Sequence, residues 1–96
     1  MWEKIMQSFI WIFHGNEAQF CSGVYEELKQ AEDFIKKYSL SGILTKMPLN
    51  KSVYEWTIEK GFFEPKRDYQ HSGKFIQNFT SAYLEHYHYQ NGEKME

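Results

Sequence analysis

His86 and His88, near the end of the chain, have the spacing that most directly suggests chemistry. They lie in a segment whose residues alternate in the way that is typical of a β-strand. Side chains two positions apart on a strand point to the same face, so both imidazoles can reach one metal ion. The pair therefore indicates a zinc-type site. It fits equally well two half-buried, hydrogen-bonded histidines, because Ala82 and Leu84 share their face.

A metal site needs a third and usually a fourth ligand beyond this pair. His14, which follows an apolar run, is the first candidate, with His71, Glu17 and Glu85 behind it. Glu85 is the weakest of these, because it alternates away from the two histidines. The metal hypothesis therefore rests on His14, His86 and His88 with zinc as the ion; the competing hypothesis has no cofactor.

The chain is rich in aromatic residues, with 3 Trp, 7 Tyr and 8 Phe among 96 residues. Three tyrosines, Tyr83, Tyr87 and Tyr89, alternate onto the strand face opposite the histidines. Together with Trp56 they form a predicted partner-binding surface, since tyrosine and tryptophan favour protein interfaces. The alternative is that these rings pack beneath helices and fill a small core.

No arrangement of residues predicts a catalytic site. Cys21 has no basic neighbour that would lower the pKa of its thiol, and we interpret it as a small packed core residue. Glu55 and Glu59 are four apart on one side of a predicted helix and are expected to face solvent. Because the glycines are scattered singly, no phosphate-binding loop is predicted. We therefore expect a protein that is not an enzyme.

The first half of the chain has clear secondary-structure signals. The apolar run 9–13 predicts a strand buried on both faces, and 20–25 predicts a second strand, antiparallel to the first. Apolar residues at helical spacing, with acids before them and lysines at the end, predict a helix over 26–38. Residues 43–45 begin a third strand.

The second half is less regular. Tyr54, Trp56 and Ile58 alternate as in a strand, but Ser52 and Glu55 match a capping box, which favours a short helix over 52–60. Another short helix is predicted after residue 72, and period-two alternation predicts a last strand over 80–89, before a polar, frayed tail at 93–96. The order ββαβααβ predicts an α+β fold: a four-stranded, mainly antiparallel sheet with helices packed on one face.

Length and charge limit the function further. A chain of 96 residues makes one domain, and its net charge of −2, without a basic cluster, argues against nucleic-acid binding. One cysteine permits no internal disulfide. Neither a signal peptide nor a membrane span is recognisable, so we expect a cytoplasmic protein that does not enter a membrane.

Several blocks of the sequence together resemble a known family. They are WIFHG (11–15), FCSGV (20–24), LSGILT (40–45), SVYEW (52–56) and EHYHY (85–89). The chain resembles a small family of uncharacterised bacterial proteins, a domain of unknown function, over nearly its whole length. The resemblance implies a bacterial, intracellular, stand-alone domain, and it brings no activity and no catalytic residues.

Two functions remain in competition. The first is a non-enzymatic protein-interaction module: a regulator, an immunity-type protein that neutralises a toxin, or a homodimer. It rests on the aromatic content, the small size and the lack of a reactive constellation. The second is a metal-binding protein that uses the His86 and His88 pair.

Overall fold

The structure, a computed structural model, describes residues 8–96. The first seven residues of the predicted domain, including the N-terminus interpreted above as lacking a signal peptide, lie outside the described residues. Among residues 8–96, no helix combines the length and the apolar character needed to cross a membrane.

The fold is α+β, and every strand pairing in it is antiparallel. Within residues 8–96, five strands form one sheet in the order β2-β1-β3-β4-β5. Their bounds are β1 Phe9–Gly15, β2 Gly23–Tyr25, β3 Gly42–Pro48, β4 His86–Gln90 and β5 Glu93–Lys94. The predicted antiparallel sheet is confirmed, but the predicted number of four strands is one too few.

The extra strand is β5, in the segment expected to be a frayed tail. It pairs with the end of β4, Tyr89 opposite Lys94 and Gln90 opposite Glu93. Asn91 and Gly92 connect the two strands with φ angles of 51° and 86°. Positive φ at both positions is the requirement of a type I′ hairpin turn, and Asn-Gly is its preferred dipeptide.

Helix α1, Leu28–Lys37, lies within the predicted 26–38. The backbone N–H of Glu27 donates to Oε1 of Gln30 (3.2 Å), which satisfies a donor at the helix start. Its apolar stripe packs on the sheet in a core whose buried members are Trp11, Phe13, Ala31, Ile35, Leu44 and Tyr89.

Helix α2, Val53–Glu59, confirms the predicted short helix over the strand alternative, with Ser52 as its N-cap residue. The backbone N–H of Glu55 donates to Oγ of Ser52 (3.0 Å). A 3₁₀ helix, Asp68–His71, and helix α3, Gly73–Gln77, follow. The 3₁₀ helix lies between the two short helices, in a segment for which the sequence analysis predicted no element.

Two hydrophobic clusters succeed each other along the strands. The second contains buried Val53, Trp56 and Leu84, with Phe9 and Met47 packed against it. Phe9 is paired with Pro48, and Met47 with Ile10, so the two residues belong to opposite faces of the sheet. The helices were predicted to pack on one face of the sheet. Helix α1 does so, whereas α2 packs around the end of the strands.

Candidate functional site

The strand register places all three predicted metal ligands on one face of the sheet. His88 is opposite Ile43, and Ile43 is opposite His14, so these residues form a row across β4, β3 and β1. His86 lies in the neighbouring row, opposite Thr45. The rings of His86 and His88 are adjacent, with centroids 5.5 Å apart. His14 is on the same face but is separated from the pair by strand β3.

Two of these rings are fixed by hydrogen bonds to backbone carbonyls. His86 Nδ1 is 2.7 Å from the Leu84 oxygen, and His14 Nε2 is 2.5 Å from the Ala18 oxygen. A neutral imidazole donates to such an acceptor, so the lone pair of His86 belongs to Nε2 and that of His14 to Nδ1. His71 lies in the 3₁₀ helix. Within residues 8–96, no three His, Cys, Asp or Glu side chains form a group that could hold a metal ion.

The predicted partner-binding residues are distributed over three environments. Tyr89 is buried, Tyr87 is half-buried and stacked on Trp11 (centroids 5.9 Å apart), and both share the face that α1 covers. Trp56 is buried in the second cluster. Tyr83 is 65% exposed. The structure therefore does not bring these four side chains together in one surface.

Tyr83 precedes the last strand, so it does not belong to the face that the period-two pattern assigned to it. Its ring stacks on Phe62 with centroids 4.2 Å apart. Phe62 in turn contacts Trp56, whose indole Nε1 is buried without a hydrogen-bond partner among the described residues. The two stacked rings still remain exposed, Phe62 by 43% and Tyr83 by 65%.

A polar network joins α1 to the β4–β5 hairpin. The buried Tyr89 hydroxyl donates to Glu32 Oε2 (2.5 Å), and Lys94 Nζ lies 3.1 Å from the same oxygen. Burial, followed by the hydrogen bond to the Glu32 carboxylate, raises the pKa of Tyr89 well above its ordinary value. The hydrogen bond from Tyr89, with Lys94 assisting, lowers the pKa of Glu32. Each group is thus paired within the chain.

Cys21 was expected to pack in the core, but it is exposed. It lies in the loop between β1 and β2, because the second strand begins only at Gly23 rather than at residue 20. With no sheet pairing at Cys21, its side chain has no packed face to occupy.

The feature that sequence reasoning missed is the face of the sheet opposite α1. Two rows of side chains cross it, and we call these seven residues the open face: Val24, Ile12, Thr45 and His86 in one row, and His14, Ile43 and His88 in the next. Val24 is 57% exposed and Ile43 is 37% exposed. The open face contains no lysine, arginine or carboxylate.

The signal for this face was present in the first strand. Antiparallel sheets with one solvated face normally show polar residues at the outward positions. Ile10 and Ile12 occupy those positions instead, and both are half-buried. The run 9–13 was predicted to be buried on both faces. Among residues 8–96, the structure buries Trp11 and Phe13 on one face and leaves Ile10 and Ile12 half-buried on the other.

No curated protein and no solved structure matches this chain. One family does match it, over residues 10–95, and that match spans both hydrophobic clusters and the open face. The chain belongs to this family, which is described as Domain of unknown function (DUF7710).

Proposed function

We propose that this domain is a small, non-enzymatic protein-interaction module that docks through the open face of its sheet onto a second copy of itself. The observation that carries the proposal is the open face, which is apolar at its centre and whose seven residues include no lysine, arginine or carboxylate; Glu93 and Glu96 lie beside it, at the β5 edge. Contiguous apolar patches of this kind are often functional surfaces in folded proteins.

Self-association is favoured over a charged partner by electrostatic complementarity. A two-fold interface packs one surface patch against the same patch of the other copy, so a charge in it must be matched by an opposite charge from within that patch. Val24, Ile12, Thr45 and Ile43 carry none, and the net charge of each chain is only −2. Two such faces can pack as the sheets of a β-sandwich do, about 10 Å apart.

The size of the face predicts the strength of the association. With strands about 4.8 Å apart and a rise of about 3.3 Å per residue, β2, β1, β3 and β4 together offer a footprint of roughly 400 Å². Stable complexes bury about 800 Å² per partner. The sheet face alone therefore supports a weak, concentration-dependent dimer rather than a permanent one.

Sedimentation velocity on two matched variants tests this proposal. Ile43 on the open face and Ile58 on α2 are both 37% exposed. Ile43→Lys places two ammonium groups in the interface, so this variant should stay monomeric from about 10 μM to about 1 mM, a range typical of weak complexes. The wild-type chain and Ile58→Lys should both dimerise over that range.

Thermal unfolding of both variants shows whether the fold is intact. The proposal is wrong if the wild-type chain stays monomeric at every concentration, or if the two lysine variants lose association to the same extent. Capture of a different protein by a strictly monomeric wild-type chain would assign the face to another partner and would likewise overturn self-association.

A further inference from the structure

We propose that His86 and His88 form half of a zinc site, and that one ion bridges two copies of the chain by taking this histidine pair from each. This inference rests on the proposed self-association through the open face, which carries both histidines. The zinc ion would join the two copies in that association and would make a small interface more stable.

The spacing of the two rings fits a shared ion. Zinc binds imidazole nitrogen at about 2.0 to 2.1 Å with tetrahedral angles, which places the centroids of two ligand rings about 5 Å apart. The His86 and His88 centroids are 5.5 Å apart. A small rotation of either side chain brings both nitrogens to one ion, because strand β4 already directs both rings to the same face.

The hydrogen bond of His86 prepares its ring for coordination. Histidine ligands commonly donate their other ring N–H to a backbone carbonyl or a carboxylate, which fixes the tautomer and the ring orientation. His86 Nδ1 has this contact with the Leu84 oxygen at 2.7 Å, so Nε2 presents the lone pair. The exposed ring of His88 makes no hydrogen bond to any residue in the described part of the chain and is free to bind.

A single chain does not complete the site. Zinc sites that serve a structural role have four ligands, and residues 8–96 contain no third ligand grouped with the pair. Glu96 lines the same shallow depression of 330 Å³ as the two histidines, without forming such a group. The two missing ligands are available from the pair of a second copy across a two-fold axis through the ion.

His14 is not the third ligand that the sequence suggested. His14 and His88 lie in the same row across the sheet but two strands apart, and Ile43 lies between them. Each strand spacing is about 4.8 Å. His14 Nε2 also donates to the Ala18 oxygen. His14→Ala should therefore leave zinc binding unchanged, and the four ligands should all be imidazoles of the β4 pairs.

The experiment is sedimentation velocity of the chain, purified without a histidine tag, in EDTA and with added zinc chloride. Zinc should saturate at half an equivalent per chain and lower the apparent dimer dissociation constant at least tenfold. His88→Ala should lose this response but keep the weak association in EDTA. His71→Ala, which alters a histidine in the 3₁₀ helix, should respond like the wild-type chain. Cobalt substituted for zinc should give the visible absorption of a four-coordinate ion.

The outcomes separate the two proposals. Association in EDTA that zinc does not strengthen would remove the zinc site and leave the open-face dimer standing. Zinc bound to monomers at one ion per chain, or an undiminished response in His88→Ala, would likewise overturn the bridged site. A zinc response equally strong in Ile43→Lys would overturn the bridged site as described, because the ion would then act without the open-face contact on which that site rests.

Discussion

At the scale of single residues, Tyr89 connects the helix to the sheet. Its ring is 4% exposed, in the core beneath α1, and its hydroxyl reaches the carboxylate of Glu32 on that helix. Lys94, on the strand next to Tyr89, binds the same carboxylate. Tyr89 thus packs its ring in the core, while Oε2 of Glu32 on α1 contacts both the Tyr89 hydroxyl on β4 and Lys94 on β5.

Tyr89→Phe should destabilise the fold by about 1 to 2 kcal/mol, because it removes a hydrogen bond to a charged, partly exposed acceptor without opening a cavity. Urea unfolding at neutral pH measures this difference. Tyr87→Phe is the matched control, since its hydroxyl donates to Glu85, an exposed carboxylate, and its loss should cost less.

The cost of Tyr89→Phe should depend on pH in a defined direction. The pKa of Glu32 is lowered in the folded chain, so its contribution is present above the ordinary carboxyl range and is lost as the pH falls through the lowered value. The pKa of Tyr89 is raised, so its contribution is lost as the pH rises above about 10. The difference from Tyr89→Phe should therefore shrink at both extremes, and a constant difference would contradict the network.

Residue types alone predicted part of the site. The period-two rule placed His86 and His88 together, because alternation is a property of any strand. It failed for Tyr83, since Ser81 Oγ accepts the backbone N–H of Tyr83 (3.1 Å) and makes a turn in which alternation has no meaning. It gave no information about His14, whose distance from the pair depends on strand order.

At the scale of elements, hydrogen-bonding signals were more reliable than alternation. The helix and the strands of the first half of the chain were predicted. In the segment 52–60, whose residues alternate as in a strand, the capping signal of Ser52 correctly indicated a helix. The last strand begins at His86 rather than at residue 80, because the preceding residues form the turn around Ser81. Strand β5 was predictable from Asn91-Gly92, the preferred hairpin dipeptide, but the segment after it was expected to be a frayed tail.

The contact between β1 and β3 depends on a glycine. A Cβ on Gly42 would collide with the His14 carbonyl oxygen and lie 2.8 Å from Gly15 Cα and from the Phe13 ring. Gly42→Ala should therefore destabilise the fold by about 2 to 3 kcal/mol, because the obstructing atoms are mostly backbone and cannot move aside.

Thermal or urea unfolding measures this cost, with Gly73→Ala as the control. A Cβ at Gly73, in the first turn of α3, meets no atom within 4 Å. That variant should be neutral or more stable by about 0.5 kcal/mol. Equal stability of the two variants would mean that β1 and β3 do not approach as described.

At the scale of the whole molecule, the two faces of the sheet have different roles. Helix α1 covers one face, and α2 with its aromatic neighbours packs around the end of the strands. The open face lies on the side opposite α1 and combines three aliphatic residues with Thr45 and three histidines. Sequence patterns predicted the buried helix stripe, because periodicity reports which residues avoid water. They could not show what Ile12 and Ile43 pack against, because a covering helix and a second copy require the same residue types.

The most direct test of the open face is a methyl NMR titration of the isoleucine- and valine-labelled chain in EDTA, from about 1 mM to about 10 μM, the range of a weak dimer. On dilution, the methyl signals of Val24, Ile12 and Ile43 should shift together along one dimer–monomer curve, while Ile35 in the core and Ile58 on α2 stay constant. Signals of the open face that do not change, or changes centred on Ile58, would contradict the account.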